Sequence, residues 1–246
     1  MKIAVCLSGQ SRTAEFTLKS IQNYFSGDYE TDYFCHAWDY NTWKMKKDFV
    51  YWSEDELVNR DDLQIVLNKY DPKLTLIESK QDCPTEGPWH SLFYSMMMAN
   101  NLKKQYEIRN NFRYDCVVRA RYDSIFDPAS NFIFKQPNHT LDLYINHADR
   151  MKTEFNRTNL SDVFFYGSSY CIDVVTDVYR HIISTTDDLS YLGPGVILHD
   201  YCNKYNIVYM KNSNAGEVVY RKECIPADSI IKYGDICMNH MRYYQV

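Results

Sequence analysis

Two arginines and an aspartate stand at alternate positions in Arg119-Ala120-Arg121-Tyr122-Asp123, directly after the apolar run from Tyr114 to Val118. Side chains of an extended chain alternate between faces, so all three would share one face at the end of a buried strand. Guanidiniums match diphosphate oxygens in paired hydrogen bonds, and a carboxylate suits a hard cation such as Mn²⁺ or Mg²⁺ bridging them. Arg119 and Arg121 are therefore candidate diphosphate ligands and Asp123 a candidate metal ligand. The plain alternative is a surface strand with an Arg–Asp ion pair.

Three other stretches carry chemistry. Ser8-Gly9-Gln10-Ser11-Arg12-Thr13 leaves the apolar run Lys2 to Leu7 and leads into a helical pattern whose free N–H groups favour an anion. Ser8, Gly9, Gln10 and Arg12 are candidate nucleotide ligands. Neither GxGxxG nor GxxxxGK[ST] is present, so an ordinary polar turn explains the loop equally well. His36-Ala37-Trp38 ends a second apolar run, where Trp38 could stack on a base and His36 donate to a ligand. A satisfied histidine and a packed tryptophan at the sheet rim compete with that reading. Asp162, just before Val163-Phe164-Phe165-Tyr166-Gly167, is a candidate base for an acceptor hydroxyl, or else a loop anchor. Gly193-Pro194-Gly195, followed by His199 and Asp200, reads as a helix start or a late active-site loop. With no GxSxG, HExxH or CxxC, the hydrolase elbow, zinc protease, zinc finger and thioredoxin motifs are excluded.

The elements that must position these residues follow from apolar spacing. Residues 2 to 7 and 33 to 38 read as strands around a helix from Thr13 to Phe25, a βαβ unit. Residues 39 to 53 show no clean period. Helices are expected over 57–70, 89–108, 170–183 and 196–205, and strands over 74–77, 114–118, 132–134, 141–145, 163–166 and 207–210, with a turn over 83–88. The order predicts a three-layer α/β/α fold with a mixed, largely parallel sheet, whose ligands gather at the carboxyl ends of its strands.

At 246 residues one elaborated domain is expected, with 1–125 as a Rossmann-like nucleotide-binding half and 126–246 as the acceptor side. The formal charge of −5 lacks the basic excess that nucleic acid requires, and Lys44, Lys46 and Lys47 read as a solvated loop. Eight scattered cysteines fit a reducing compartment, with Cys6, Cys35 and Cys116 as small core residues. No apolar run reaches a membrane span of about 20 residues, and the opening residues do not read as a signal peptide. The expectation is a cytoplasmic protein, host-cytoplasmic if viral, in which the sequons at Asn138, Asn156 and Asn159 are chance matches.

Four stretches in order, Cys6 to Thr13, Asp32 to Trp38, Tyr114 to Asp123 and Ser161 to Gly167, resemble a family of glycosyltransferases encoded in bacterial surface-polysaccharide clusters and in some large viruses and phages. The resemblance implies a GT-A-like fold, a nucleoside diphosphate sugar donor and a glycan or other hydroxyl acceptor. It aligns the segment ending at Asp123 with an Asp-x-Asp metal motif. Arg121 stands at the first Asp position, so an ion on Asp123 and the Arg121 guanidinium are two ways to balance a diphosphate. Gly195 to Asp200 stands where the family often carries a Glu. Nucleotidyl transfer and a non-catalytic carbohydrate-binding or interaction module are the rival readings.

Overall fold

The computed structural model describes residues 1–47, 50–84, 89–126, 131–145, 148–150, 158–185, 189, 192–211 and 217–219. Asn156, Cys224, Cys237 and positions 85–88 of the expected turn lie outside them.

In strand β1 (Lys2–Gln10) Ile3, Val5 and Leu7 face one layer of buried side chains while Ala4 and Cys6 face the other. A strand apolar on both sides needs a helix layer over each face. Helix α1 (Ala14–Tyr24) covers the first face through Ala14, Ile21 and Tyr24. Strand β2 (Glu30–Trp38) returns parallel to β1, completing the βαβ unit.

Residues 39 to 53, without period in the sequence, belong to a hairpin of β3 (Tyr40–Lys47) and β4 (Val50–Leu57), so Lys44, Lys46 and Lys47 lie on a strand and not in a loop. The helix expected from 57 starts later, as α2 (Arg60–Asn68), because Asn59 caps it by accepting from the backbone N–H groups of Asp61 and Asp62 at 2.8 and 3.2 Å. Strand β5 (Pro72–Glu78) follows, then the long helix α3 (His90–Asn110), strand β6 (Cys116–Ala120) and the short β7 (Ser124–Phe126). Phe132, expected in a strand, instead fills an aromatic cluster with Tyr24, Phe25 and Tyr166.

The second half adds β8 (Asp142–Ile145), β9 (Ala148–Arg150), β10 (Thr158–Leu160) and β11 (Phe165–Gly167). The helix expected over 170–183 is two, α4 (Ser169–Val175) and α5 (Val178–Ser184), interrupted at Thr176 and Asp177. Helix α6 (Pro194–Lys204) starts directly after Gly193, so Gly193-Pro194-Gly195 is a helix start; β12 (Val208–Lys211) and β13 (Glu217–Val219) complete the described chain.

Seven strands form the central sheet in the order β12-β8-β11-β6-β1-β2-β5. All neighbours pair parallel except β11, which runs antiparallel to both β6 and β8. With α1 and α2 on one face and α3 to α6 on the other, the architecture is the expected three-layer mixed α/β fold. Register sets the functional edge: Ser8 lies beside His36, Gln10 beside Trp38, Trp38 beside Glu78 and Leu7 beside Ala120. The reversed strand brings its entrance, not its exit, to that edge. Residues just before β11, Asp162 among them, thereby join residues that follow β1 and β6.

At the opposite edge α3 is anchored by a buried lysine. Lys103 Nζ donates to Ser169 Oγ at 2.7 Å and to Asp173 Oδ1 at 2.9 Å and lies 3.1 Å from Glu107 Oε2. Glu107 Oε1 accepts from Ser169 Oγ at 2.7 Å and from the Tyr114 backbone N–H at 2.9 Å, tying α3 to α4 and to the entry of β6.

Candidate functional site

Strand β6 extends past Val118. Arg119 pairs with Cys6 and Phe165 across the sheet and is 1% exposed, so it lies inside the strand and not beyond its end. Its Nη1 donates to the Val163 carbonyl, which fixes the loop carrying Asp162. After Ala120 the chain turns through Tyr122 and Asp123, with the Ser124 N–H bonded to the Arg121 carbonyl at 3.3 Å. The single extended face expected for Arg119, Arg121 and Asp123 is therefore absent. The turn brings Arg121 and Asp123 together instead: Nε and Nη2 of Arg121 donate to the two Asp123 oxygens at 2.7 and 2.6 Å, a bidentate pair.

Helix α1 holds this turn in place. Thr17 Oγ1 donates to the Tyr122 carbonyl, and Ser20 Oγ donates to the Phe126 carbonyl at 3.2 Å and accepts from its N–H at 2.8 Å. The same helix follows the loop that delivers Arg12, whose Nη2 lies 3.7 Å from Asp123 Oδ2. On the far side Arg121 Nη1 lies 4.0 Å from Asp162 Oδ2. Charges thus alternate along Arg12, Asp123, Arg121 and Asp162, whose side chains are 13%, 3%, 18% and 18% exposed. Three separate loops supply them.

This donor set does not fit a divalent cation. Both Asp123 oxygens accept from Arg121, and Arg12 approaches one of them. An ion there would face a guanidinium at a repulsion of roughly 8 kcal/mol for a 4 Å separation and an effective dielectric constant of about 20. Among the described residues no three His, Cys, Asp or Glu side chains are grouped as ligands of a metal ion.

Near the end of β1, Gly9 has φ of +119°, a conformation that L side chains rarely adopt, although a Cβ there would meet nothing within 4 Å. The constraint is on the backbone, not on space. β1 persists to Gln10, so the free loop is shorter than the sequence suggests, and Ser8 is buried within the strand.

His36 and Trp38 reach the same edge but lie beneath its surface. His36 Nδ1 is 2.6 Å from Ser95 Oγ and Nε2 is 2.7 Å from Glu78 Oε2, while Tyr94 Oη donates to Glu78 Oε1 at 3.1 Å. Burial lowers the His36 pKa, partly opposed by Glu78. Trp38, also buried, stacks on Tyr94 with ring centroids 5.6 Å apart. The order Ser95, His36, Glu78 matches a nucleophile relay, but Ser95 and His36 are fully buried, so no acyl group reaches the hydroxyl. It acts as a strut between α3 and the sheet. Glu78 and Ser95 escaped the sequence reading. Glu78 had a signal, a carboxylate ending an apolar run, whereas Ser95 had none.

No protein-family model matches this sequence, and no curated protein matches it. Among solved structures the chain is similar to the crystal structure of a glycosyltransferase involved in the glycosylation of the major capsid of PBCV-1. That match has 10% identity and a TM-score of 0.47 and covers 98% of this chain and 100% of that one. So distant a likeness decides nothing about the site. No helix among the described residues is long and apolar enough to cross a membrane.

The loop bearing Asp162 is also fixed from behind. A Cβ on Gly195, in the first turn of α6, would lie 2.2 Å from the Leu160 carbonyl oxygen and 2.0 Å from Asn159 Oδ1. Gly195→Ala is expected to separate α6 from β10 and to destabilise the protein by about 1–3 kcal/mol, as overpacking does. Urea denaturation checks this, and an unchanged midpoint would show that the two elements are not in contact.

Proposed function

We propose that this chain transfers a glycosyl group from a nucleoside diphosphate sugar to a hydroxyl of a glycan or other acceptor. The observation that carries the reading is the array Arg12, Asp123, Arg121 and Asp162 at the carboxyl edge of the parallel strands, two guanidiniums beside a part-exposed carboxylate. The sheet is compatible with a GT-A-like arrangement, and the resemblance of the four sequence stretches points the same way.

In this reading Arg12 and Arg121 hold the diphosphate and offset the negative charge that grows on it as the bond from the sugar C1 to the β-phosphate oxygen breaks. The electron pair leaves with the nucleoside diphosphate. The acceptor oxygen bonds to C1, and its proton passes to Asp162. Arg119 holds the loop of that base, and His36 and Trp38 support the edge on which the short loop after Gln10, with Arg12, receives the nucleotide. β1, β2, β5 and β6 form the donor half, and the strands after residue 126 face the acceptor.

Calorimetric titration with UDP, GDP, CDP and ADP tests the reading. One of them is expected to bind. Arg12→Ala and Arg121→Ala should each weaken it by about 10- to 100-fold, the loss expected for a hydrogen bond to a charged group. No binding of any of the four to the wild type removes the proposal.

A further inference from the structure

We infer that the diphosphate is bound without a divalent cation, and that Asp123 is a positioning residue for two guanidiniums and not a metal ligand. The inference rests on the glycosyl-transfer reading and decides how that site balances charge.

The resemblance aligns this segment with an Asp-x-Asp metal motif, but the chain has Arg121-Tyr122-Asp123. The turn at Tyr122 folds Arg121 back onto Asp123, so the residue replacing the first carboxylate occupies both oxygens of the second. Arg12 stands 3.7 Å from one of those oxygens and Asp162 4.0 Å from Arg121. An added dication would therefore have to displace a bidentate pair and remain beside two guanidiniums.

Carboxylate and phosphate present their oxygens to a guanidinium in the same fork geometry. Asp123 takes the Nε–Nη2 edge of Arg121 and so fixes the plane of that guanidinium, with Arg12 beside it, before any ligand arrives. Thr17 and Ser20 of α1 fix the turn that carries both members of the pair, so the clamp is built into the fold.

The test is the affinity of UDP, GDP, CDP and ADP in EDTA and again in Mn²⁺. For the nucleotide that binds, the two dissociation constants should agree within about threefold. Binding more than about tenfold tighter in Mn²⁺ overturns the inference and leaves the glycosyl-transfer reading standing, whereas no binding in either buffer overturns both. Asp123→Asn should weaken the nucleotide by the same factor in both buffers; a loss confined to the Mn²⁺ buffer marks Asp123 as a ligand. Arg121→Lys, which keeps the charge but loses the fork, should weaken binding in EDTA, and undiminished binding there overturns the inference. Electron paramagnetic resonance of free Mn²⁺ needs no variant to fold: the free-ion signal of a nucleotide–Mn²⁺ solution should not fall further when protein is added, and a further fall overturns the inference.

Discussion

Asp162→Asn is expected to slow glycosyl transfer by about 10²- to 10⁴-fold, the usual contribution of a positioned general base, while nucleotide affinity changes little. The asparagine keeps the size of the side chain but cannot take a proton. Asp162 contacts the charged array only at its end, 4.0 Å from Arg121 Nη1, whereas the bidentate partner of that guanidinium is Asp123. On the proposed reading, diphosphate binding and acceptor activation are therefore separable. Initial rates at saturating donor, beside calorimetric titration of the nucleotide, distinguish the two. An unchanged rate would remove Asp162 from the reaction, and an equal loss in rate and in nucleotide affinity would make it part of the clamp.

The residues of that array were legible in the sequence, but the geometry that joins them was not. Arg12, Arg121, Asp123 and Asp162 each follow or precede an apolar run within a few residues, and parallel strands deliver such positions to one edge. What local pattern omits is pairing. Arg119 ends the apolar run of its segment, yet Cys6 and Phe165 continue the ladder through it, so strand length is set by the neighbours and not by hydrophobicity. Asp162 precedes its strand and reaches the same edge only because β11 is reversed, which no run of residues encodes. His36 meets Glu78 and Ser95, 42 and 59 positions away, so its satisfied state depends on contacts that no sequence window contains. The first half of the fold was clearest, since β1, α1 and β2 have simple periods and a short connection. The β3–β4 hairpin and the break between α4 and α5 had no such signal.

The same non-local logic governs the buried cation at the far edge, where Lys103→Met is expected to cost about 3–5 kcal/mol, the penalty for leaving the partners of a buried ion pair uncompensated. Lys103 is fully buried, and its ammonium is shared by Ser169, Asp173 and Glu107, which belong to α3 and α4. Methionine fills much of the lysine's volume, so the loss reports charge and hydrogen bonding and not a cavity. The pH dependence gives a second signature. Burial raises the Asp173 carboxyl, but the charge and hydrogen bond of Lys103, with a hydrogen bond from Asn100, outweigh it and hold the group below its ordinary value. A carboxyl depressed in the folded state contributes stability that is fully present above its unfolded pKa and lost as pH falls through the folded one. Lys103→Met removes the main cause of that depression, leaving burial opposed by the Asn100 hydrogen bond, Lys104 and the Arg113 ion pair. The stability gap between wild type and variant should therefore be widest near neutral pH and narrow below about pH 4. Urea denaturation across that range measures it, and a gap independent of pH would show that Lys103 stabilises α3 by packing alone.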